Sequence, residues 1–374
     1  MIIGQYCDSY PPTLDGVGMV VKNYVEELKK IGDTCYYVSA NSPSYKKAED
    51  FETLLYRGFK VRRDEPYRVG LPALDIPFQR RTKQIAFDIV HGHSPFSMGA
   101  EARRIARRRD IPLVGTFHTK FYDDFYDKTR SRTLASIATR YVLRFYNHCD
   151  EVWTVNSGTE AVLREYGYKG SISIIPNGTN LWYPTQADKQ SISEAYGLGN
   201  DPMFLFVGQQ SWKKNIRHII DGVRLFHNTH PCKLLLVGQG GAASEIKAYV
   251  HEQGLDDTVL LLGHIPDREL LMRLYARADL FLFPSLYDTS GLVVREAAAA
   301  GTPSILVRDS CAAEGIIDGA NGYLCENSPE SLFEAMVRGL GSRGAVGEAA
   351  RKTLPIQWSN VVATARARYE ALLK

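Results

Sequence analysis

Short apolar runs of strand character alternate with stretches of helical spacing along the chain, and the series breaks once and begins again. This alternation constrains the fold more than any other feature. Strands separated by helices cannot form tight hairpins, so they pair in parallel with the helices packed on both faces. In the first series residues 1–7 are a buried-strand candidate and residues 17–31 have helical spacing. Residues 36–39, 89–91, 113–116, 151–155 and 173–175 read as further strands. Pro176-Asn177-Gly178 is turn chemistry, which puts a linker near Trp182-Tyr183-Pro184. The series then restarts with a strand at 204–208, a helix at 216–227, and strands at 233–238, 259–262 and 280–283.

Two consecutive series of similar size predict an α/β protein of two Rossmann-like domains facing each other across a cleft. The expected boundaries are 1–182, 183–355, and a final helix at 356–374, beginning near Trp358, that returns to the first domain. A length of 374 residues suits two domains, and 44% hydrophobic with 23% charged residues can build two cores. The opening Met1-Ile2-Ile3-Gly4-Gln5-Tyr6 lacks the basic start of a secretory leader, and no apolar run is long enough to span a bilayer. Six scattered cysteines without a C-x-x-C pair read as core fillers in a reducing compartment, so the expected location is cytoplasmic. The net charge is only +3, yet residues 54–145 carry nineteen Lys and Arg against nine Asp and Glu, a local excess of +10. Such a field draws phosphates, anionic lipid headgroups or nucleic acid; an ordinary solvated basic face is the competing reading.

Ligands of doubly wound sheets bind beyond the carboxyl ends of the strands, so the loops there are the candidate sites. Asp15-Gly16-Val17-Gly18 opens the first helix, where glycines let backbone amides approach an anion. Gly208-Gln209-Gln210-Ser211-Trp212-Lys213-Lys214 follows a strand and puts Lys214 just before a helix, a placement the helix dipole opposes unless a bound phosphate lies between them. Gly238-Gln239-Gly240-Gly241-Ala242-Ala243 matches G-x-G-x-x-A, a weak dinucleotide pattern without a clear ribose-binding acid at the next strand end. The most informative segment is Pro284-Ser285-Leu286-Tyr287-Asp288-Thr289-Ser290-Gly291-Leu292-Val293-Val294-Arg295-Glu296, followed by alanines and Gly301-Thr302-Pro303. It sets two carboxylates eight residues apart around a helix start whose free amides form an anion site; simple capping by Asp288 is the bland alternative.

On these motifs the chain resembles, over nearly its whole length, the retaining glycosyltransferases of family four, which have the two-domain GT-B fold. The family's Glu-x7-Glu corresponds to Asp288-x7-Glu296, with Gly301-Thr302-Pro303 after it. Its phosphate loop corresponds to Val207-Gly208-Gln209 through Lys214, its Val-Gly-x-Gly to Val237-Gly238-Gln239-Gly240, and its linker turn to Pro176-Asn177-Gly178. Its amino-terminal glycine loop resembles Asp15-Gly16-Val17-Gly18, and its strand-end histidines resemble His93 and His118. The resemblance implies a cytoplasmic enzyme, peripheral on the membrane's inner face in the lipid-acceptor case, that moves a sugar from a nucleotide-sugar, UDP-sugar favoured, to a lipid or carbohydrate acceptor.

It also implies roles. His118, Lys214 and Asp288 are the catalytic candidates, with His118 beside the sugar. Lys214 and the Gly291 and Leu292 amides would hold the diphosphate. Asp288, Thr289 and Ser290 would meet donor-sugar hydroxyls, Glu296 the ribose, Gly16 the diphosphate and acceptor side, and His264 and Ile265 the base. Two departures touch the donor: Gln209 replaces the family's arginine, and Asp288 its first glutamate. Retention implies that the acceptor attacks on the face the phosphate leaves, and that the protein stabilises the departing diphosphate without a metal or other cofactor.

Metal binding by His91, His93, His118, Asp123 and Asp124 follows no ligand spacing and is set aside. A nucleotide-sugar epimerase of the same fold, an NAD-dependent oxidoreductase using Gly238, Gly240 and Ala243, and a non-catalytic sugar-nucleotide sensor stay open. Nucleic acid is not an expected partner. Two acceptors stay open, a lipid at a membrane surface and a soluble or polymer-bound sugar: the arginines at 103, 104 and 107–109 and Leu71-Pro72-Ala73-Leu74-Asp75-Ile76-Pro77-Phe78 ahead of Arg80-Arg81 suggest a peripheral membrane face, and an ordinary basic surface is the equal reading. The family members that glucosylate diacylglycerol are similar here.

Overall fold

The computed structural model describes residues 1–10, 15–41, 51–60, 68–199 and 201–374. The chain divides into two compact units, residues 1–178 with 358–374, and residues 179–357. Residues 61–67 of the basic stretch lie outside the described residues.

Unit 1 runs β1 (Ile2–Tyr6), α1 (Gly16–Lys30), β2 (Thr34–Asn41), β3 (Glu52–Arg57), β4 (Phe59–Lys60), β5 (Arg68–Val69), α2 (Ile76–Gln84), β6 (Ile89–Gly92), α3 (Ser97–Arg109), β7 (Leu113–Phe117), α4 (Phe121–Thr129), α5 (Arg132–Tyr146), β8 (Glu151–Thr154), α6 (Ser157–Glu165) and β9 (Ile172–Ile174). Among the described residues its main sheet has seven parallel strands in the order β3-β2-β1-β6-β7-β8-β9. Unit 2 runs α7 (Gln186–Ala195), β10 (Met203–Val207), α8 (Ile216–His227), β11 (Lys233–Val237), α9 (Ala243–Glu252), β12 (Val259–Gly263), α10 (Arg268–Arg277), β13 (Leu280–Phe283), α11 (Leu292–Ala299), β14 (Ser304–Val307), β15 (Tyr323–Cys325) and α12 (Pro329–Thr353). Its sheet is parallel in the order β12-β11-β10-β13-β14-β15. α13 (Trp358–Leu372) belongs to unit 1.

The α/β expectation therefore holds, and the reason is visible in the central strands. β10 reads Met-Phe-Leu-Phe-Val and β13 Leu-Phe-Leu-Phe, with every residue buried, as strands covered on both faces require. α8 buries Ile216, Ile219, Ile220, Val223 and Phe226, one helical face against that sheet. The edge strand β3 instead alternates in burial, and it, β4, β5, β14 and β15 fall outside the expected strand series.

Each sheet winds outward in both directions from one point, between β1 and β6 in unit 1 and between β10 and β13 in unit 2. The loops after these strands flank the switch-point crevice that is the ordinary ligand position of doubly wound sheets.

α13 packs on α1, where the Trp358 and Tyr24 rings meet at 5.9 Å, and Tyr369 stacks on the fully buried Trp153 at 5.2 Å. A Cβ on Gly178 would come within 2.6 Å of the Trp358 indole, so the turn Pro176-Asn177-Gly178 needs its glycine for this close approach.

Candidate functional site

The β10/β13 crevice gathers most of the residues singled out by the sequence. After β10 the chain makes a short 3-10 turn at Trp212–Lys214, and Asn215 adopts a left-handed conformation (φ 55°) as it enters α8. Asn215 Nδ2 donates to the Pro284 carbonyl at 2.8 Å and to Asn327 Oδ1 at 2.9 Å, tying this loop to the end of β13. Lys214 Nζ is thereby delivered to Asp288 Oδ1 in an ion pair, with the Tyr287 ring 5.2 Å from the ammonium. Ser285 Oγ accepts from the Tyr287 amide at 3.3 Å and the Asp288 amide at 3.4 Å, which shapes the loop around the carboxylate. Asp288 Oδ2 is shut off from solvent with no hydrogen-bond partner among the described residues. Lys214 and Asp288 thus meet each other, where the sequence reading had assigned each directly to the donor.

Gly291 caps α11 in the left-handed region (φ 54°), which glycine tolerates, and Leu292 and Val293 follow as the first helical residues. Their amides have no partner within the helix, so the helix start leaves donors free in the loop that carries Asp288. Thr289 and Ser290 lie half-buried in the same loop. Glu296, in the second turn of α11, is not a solvated side chain. It accepts from Arg268 Nη2 at 2.8 Å and from the Tyr275 hydroxyl at 3.2 Å. Sequence reasoning missed both partners, which come from α10. A carboxylate held by a guanidinium and a phenol is fixed in direction and can still accept from a ribose hydroxyl. His264 is exposed and Ile265 half-buried in the loop after β12, and Gln209 is exposed after β10.

The glycines of Val237-Gly238-Gln239-Gly240 have a structural explanation. A Cβ on Gly238 would lie 1.9 Å from the Gly208 carbonyl oxygen, and one on Gly240 2.3 Å from that of Gln210. Gln210 N–H donates to the Gln239 carbonyl and the Ala242 amide to that of Gln210, so the two loops pack backbone to backbone. The glycines of the G-x-G-x-x-A match thus have a packing role of their own.

In unit 1, Asp15 caps α1 by accepting from the Gly18 amide at 2.8 Å, and Gly16 is exposed at the helix start. His118 follows β7 and is buried; its Nε2 lies 3.0 Å from His93 Nδ1. Burial holds the His118 imidazole down to about 3 and those of His91 and His93 well below the usual histidine range, so all three rings are neutral at physiological pH. Among the described residues no group of three or more His, Cys, Asp or Glu is placed to hold a metal ion. Asp8, following β1, accepts from the Met98 amide through Oδ1 at 3.2 Å, and burial raises its carboxyl to about 7.

The basic face differs from expectation in its helix. Arg104 is bound to Glu101 and Gln79, and Arg109 donates to the carbonyls of Ile85 and Thr82, which leaves Arg107 and Arg108 exposed on α3. Phe78 belongs to the core, whereas Leu71, Leu74 and Ile76 are 69, 73 and 63% exposed, with Arg80, Arg81 and Lys83 exposed just beyond. No described helix is long and apolar enough to cross a membrane.

Known proteins agree with this architecture. Residues 14–183 match the model of Glycosyltransferase Family 4, and residues 188–352 that of Glycosyl transferases group 1. The chain is 25% identical over 352 residues to the alpha-monoglucosyldiacylglycerol synthase of Acholeplasma laidlawii, covering 90% of this chain and 87% of that protein. It is 26% identical to the synthase of the same name from Streptococcus pneumoniae, covering 91% and 76%. In structure it is similar to sucrose-phosphate synthase from Thermosynechococcus elongatus (TM-score 0.85, 20% identity, 99% and 98% covered). It is likewise similar to Anabaena Alr3699/HepE in complex with UDP and glucose (TM-score 0.80, 15% identity, 99% of both). The epimerase alternative finds no support among these matches. With a Family 4 domain ahead of a group 1 domain, both built as doubly wound sheets, the chain belongs to the family 4 glycosyltransferases of the GT-B type.

Proposed function

We propose that the protein is a retaining glycosyltransferase that moves a hexose from a UDP-sugar to the hydroxyl of a diacylglycerol-type lipid at an anionic membrane surface. The observation that carries this reading is the convergence of Lys214, Asp288 and the start of α11 at one crevice, with Glu296 fixed by Arg268 and Tyr275 one turn further on.

A diphosphate entering the crevice competes with Asp288 for the Lys214 ammonium, and it carries more negative charge than one carboxylate. Lys214 would pass to the diphosphate together with the Leu292 and Val293 amides. Asp288, released, would accept from sugar hydroxyls with Thr289 and Ser290 beside it, while Glu296 holds the ribose and the loop at His264 and Ile265 faces the base. As the sugar–phosphate bond breaks, the bonding pair leaves with the phosphate, and Lys214 and the amides stabilise the charge that develops there. The acceptor oxygen bonds to the anomeric carbon on the same face, and its proton goes to the departing phosphate oxygen. Lysine and helix amides supply the positive side of this step, so transfer proceeds in the presence of a chelator.

The lipid acceptor is supported by the exposed Leu71, Leu74 and Ile76 beside Arg80 and Lys83 and by the product named in the two alpha-monoglucosyldiacylglycerol synthases. The test is a screen of UDP-, GDP- and ADP-sugars, read by nucleotide release with and without diacylglycerol in phosphatidylglycerol vesicles. Release from a UDP-hexose that rises with diacylglycerol supports the proposal. Release that rises only with soluble sugars moves the acceptor to carbohydrate, and donor turnover with no acceptor dependence refutes transfer.

A further inference from the structure

Asp8 Oδ2 and the Tyr56 hydroxyl of unit 1 are both buried without a hydrogen-bond partner among the described residues. Asp8 follows β1, and Tyr56 lies near the end of β3. Both face the start of α3. Asp8 Oδ1 accepts from the Met98 amide at 3.2 Å, and Ser97, the first residue of that helix, lies against the Tyr56 phenol. Burial raises the phenol most, and the Asp8 carboxyl is near enough to raise it further. Ser94 Oγ is engaged elsewhere: it accepts from the Asp8 amide at 3.1 Å and donates to Cys7 Sγ at 3.8 Å.

These contacts fix the chemistry of the pair. Burial lifts the Asp8 carboxyl to about 7 although the Met98 amide pulls it down, so below that pH it holds a proton. Oδ1 is occupied as an acceptor, which leaves the proton on Oδ2. Asp8 and Tyr56 are then two O–H donors facing no acceptor, an arrangement that costs stability unless a ligand supplies one. The titratable groups that face Asp8 are Cys7 and Tyr56. Burial pushes the Cys7 thiol up to about 12 and raises the Tyr56 phenol, so neither changes charge near neutrality. From α3, Glu101 acts on Tyr56, and its partner Arg104 is bound to it and to Gln79 and donates to neither orphaned oxygen. A phosphate would therefore meet an ionising Asp8 with no cation between them, whereas an uncharged carbonyl accepts from both donors. The pair also borders the apolar edge of the unit. The Phe78 ring stands 5.9 Å from that of Tyr56, a Cβ on Gly70 would come within 2.8 Å of the Tyr56 ring, and Leu71, next along, is exposed.

Resting on the lipid acceptor of the proposed function, we infer that Asp8 and Tyr56 form a binding site within unit 1 for the ester-linked glycerol of that lipid, both O–H groups donating to its ester carbonyls. Asp8 keeps some solvent exposure, which is where the ligand enters, and the acyl chains run past Gly70 and Leu71. The site selects ester over ether lipids, and the selection weakens as Asp8 loses its proton.

The test is titration calorimetry on the full chain with 1,2-dioctanoylglycerol and with its diether analogue 1,2-dioctylglycerol, which keeps the hydroxyl and the chains but lacks both carbonyls. Wild-type protein should bind the diester about tenfold more tightly than the diether at pH 6, the worth of two hydrogen bonds of ordinary net strength, and only about threefold more tightly at pH 9. Asp8→Asn keeps a donor in place of Oδ2–H and should hold the full preference at both pH values. Asp8→Leu and Tyr56→Phe should each reduce it to about threefold at pH 6. A wild-type protein with no ester preference, or with one unchanged at pH 9, overturns the inference, as does an Asp8→Asn protein that loses it; neither comparison needs Asp8→Leu to fold. Inorganic phosphate that displaces the diester from wild type but not from Asp8→Leu gives the pair to an anion instead and also overturns it. Ester preference without sugar transfer refutes the proposed function and leaves this site standing; transfer to both lipids alike, without ester preference, does the reverse.

Discussion

Lys214 and Asp288 stand 74 residues apart in the chain, yet their side chains form an ion pair where β10 and β13 part company. The pair answers the electrostatic oddity of a lysine just before a helix: its counter-charge is a carboxylate from the neighbouring strand loop.

Lys214→Ala should lower kcat by about 10²-fold, the usual loss when one donor to a developing oxyanion is removed. A partly exposed ion pair contributes only about 1 kcal/mol or less to stability, so the melting temperature should move little. Initial-rate kinetics beside thermal melts decide the matter. A variant that melts lower but turns over normally would show that Lys214 serves the fold alone.

Glu296→Gln should weaken nucleotide-sugar binding by about 1–3 kcal/mol, the range for a hydrogen bond to a charged group. Arg268→Ala should act in the same direction with a smaller loss, because Tyr275 still holds the other carboxylate oxygen. Titration calorimetry with UDP-glucose measures both; equal affinity for wild type and Glu296→Gln removes Glu296 from the ribose.

Asp8 carries a pH dependence whose sign is fixed. Its carboxyl titrates near 7 in the folded protein against an ordinary 3.8. Between those values the folded chain holds a proton that the unfolded chain has released, so this group's contribution to stability falls as pH rises from about 4 to 7. Asp8→Asn should therefore be more stable than wild type above pH 7, by a few kcal/mol at most at about 1.4 kcal/mol per pKa unit. The difference should vanish below pH 4. Urea melts of both proteins across that range test it, and parallel stability curves would show that Asp8 ionises normally.

The protein should sediment with phosphatidylglycerol vesicles at low salt and much less with phosphatidylcholine, since each basic residue near an anionic surface adds about 1 kcal/mol within a Debye length. Leu74→Glu with Arg80→Glu and Lys83→Glu should abolish this while leaving nucleotide binding intact. Arg104 is unsuitable for the purpose, because its bonds to Glu101 and Gln79 are internal to the fold. Wild-type protein that ignores anionic vesicles leaves the carbohydrate acceptor as the better reading.

The sequence was most legible where structure is local. Fully covered strands such as β10 are apolar runs, and the turns at Pro176-Asn177-Gly178 and Ser290-Gly291 are written in residues suited to tight backbone. The candidate donor residues were also readable, because they sit at fixed offsets from strand ends. What the chain order hid are partnerships made across the fold: Arg268 and Tyr275 on Glu296, Asp288 on Lys214, and Glu101 taking Arg104 out of the basic face. Two-residue strands such as β4 and β5 are too short to show a period at all.

The return of α13 to unit 1 has a consequence for how the molecule is made. Everything in unit 2 lies between β9 and α13 in the chain, so during synthesis unit 2 leaves the ribosome while unit 1 still lacks the helix that covers Tyr24, His91 and Trp153. Contacts of such wide sequence separation close late, because a long loop must first be ordered. The second half of the protein can thus reach its native state first, and the half that begins the chain waits, with aromatic surface uncovered, for Trp358 and Tyr369 to arrive. Cutting the gene at the junction of the two family domains would make that wait permanent.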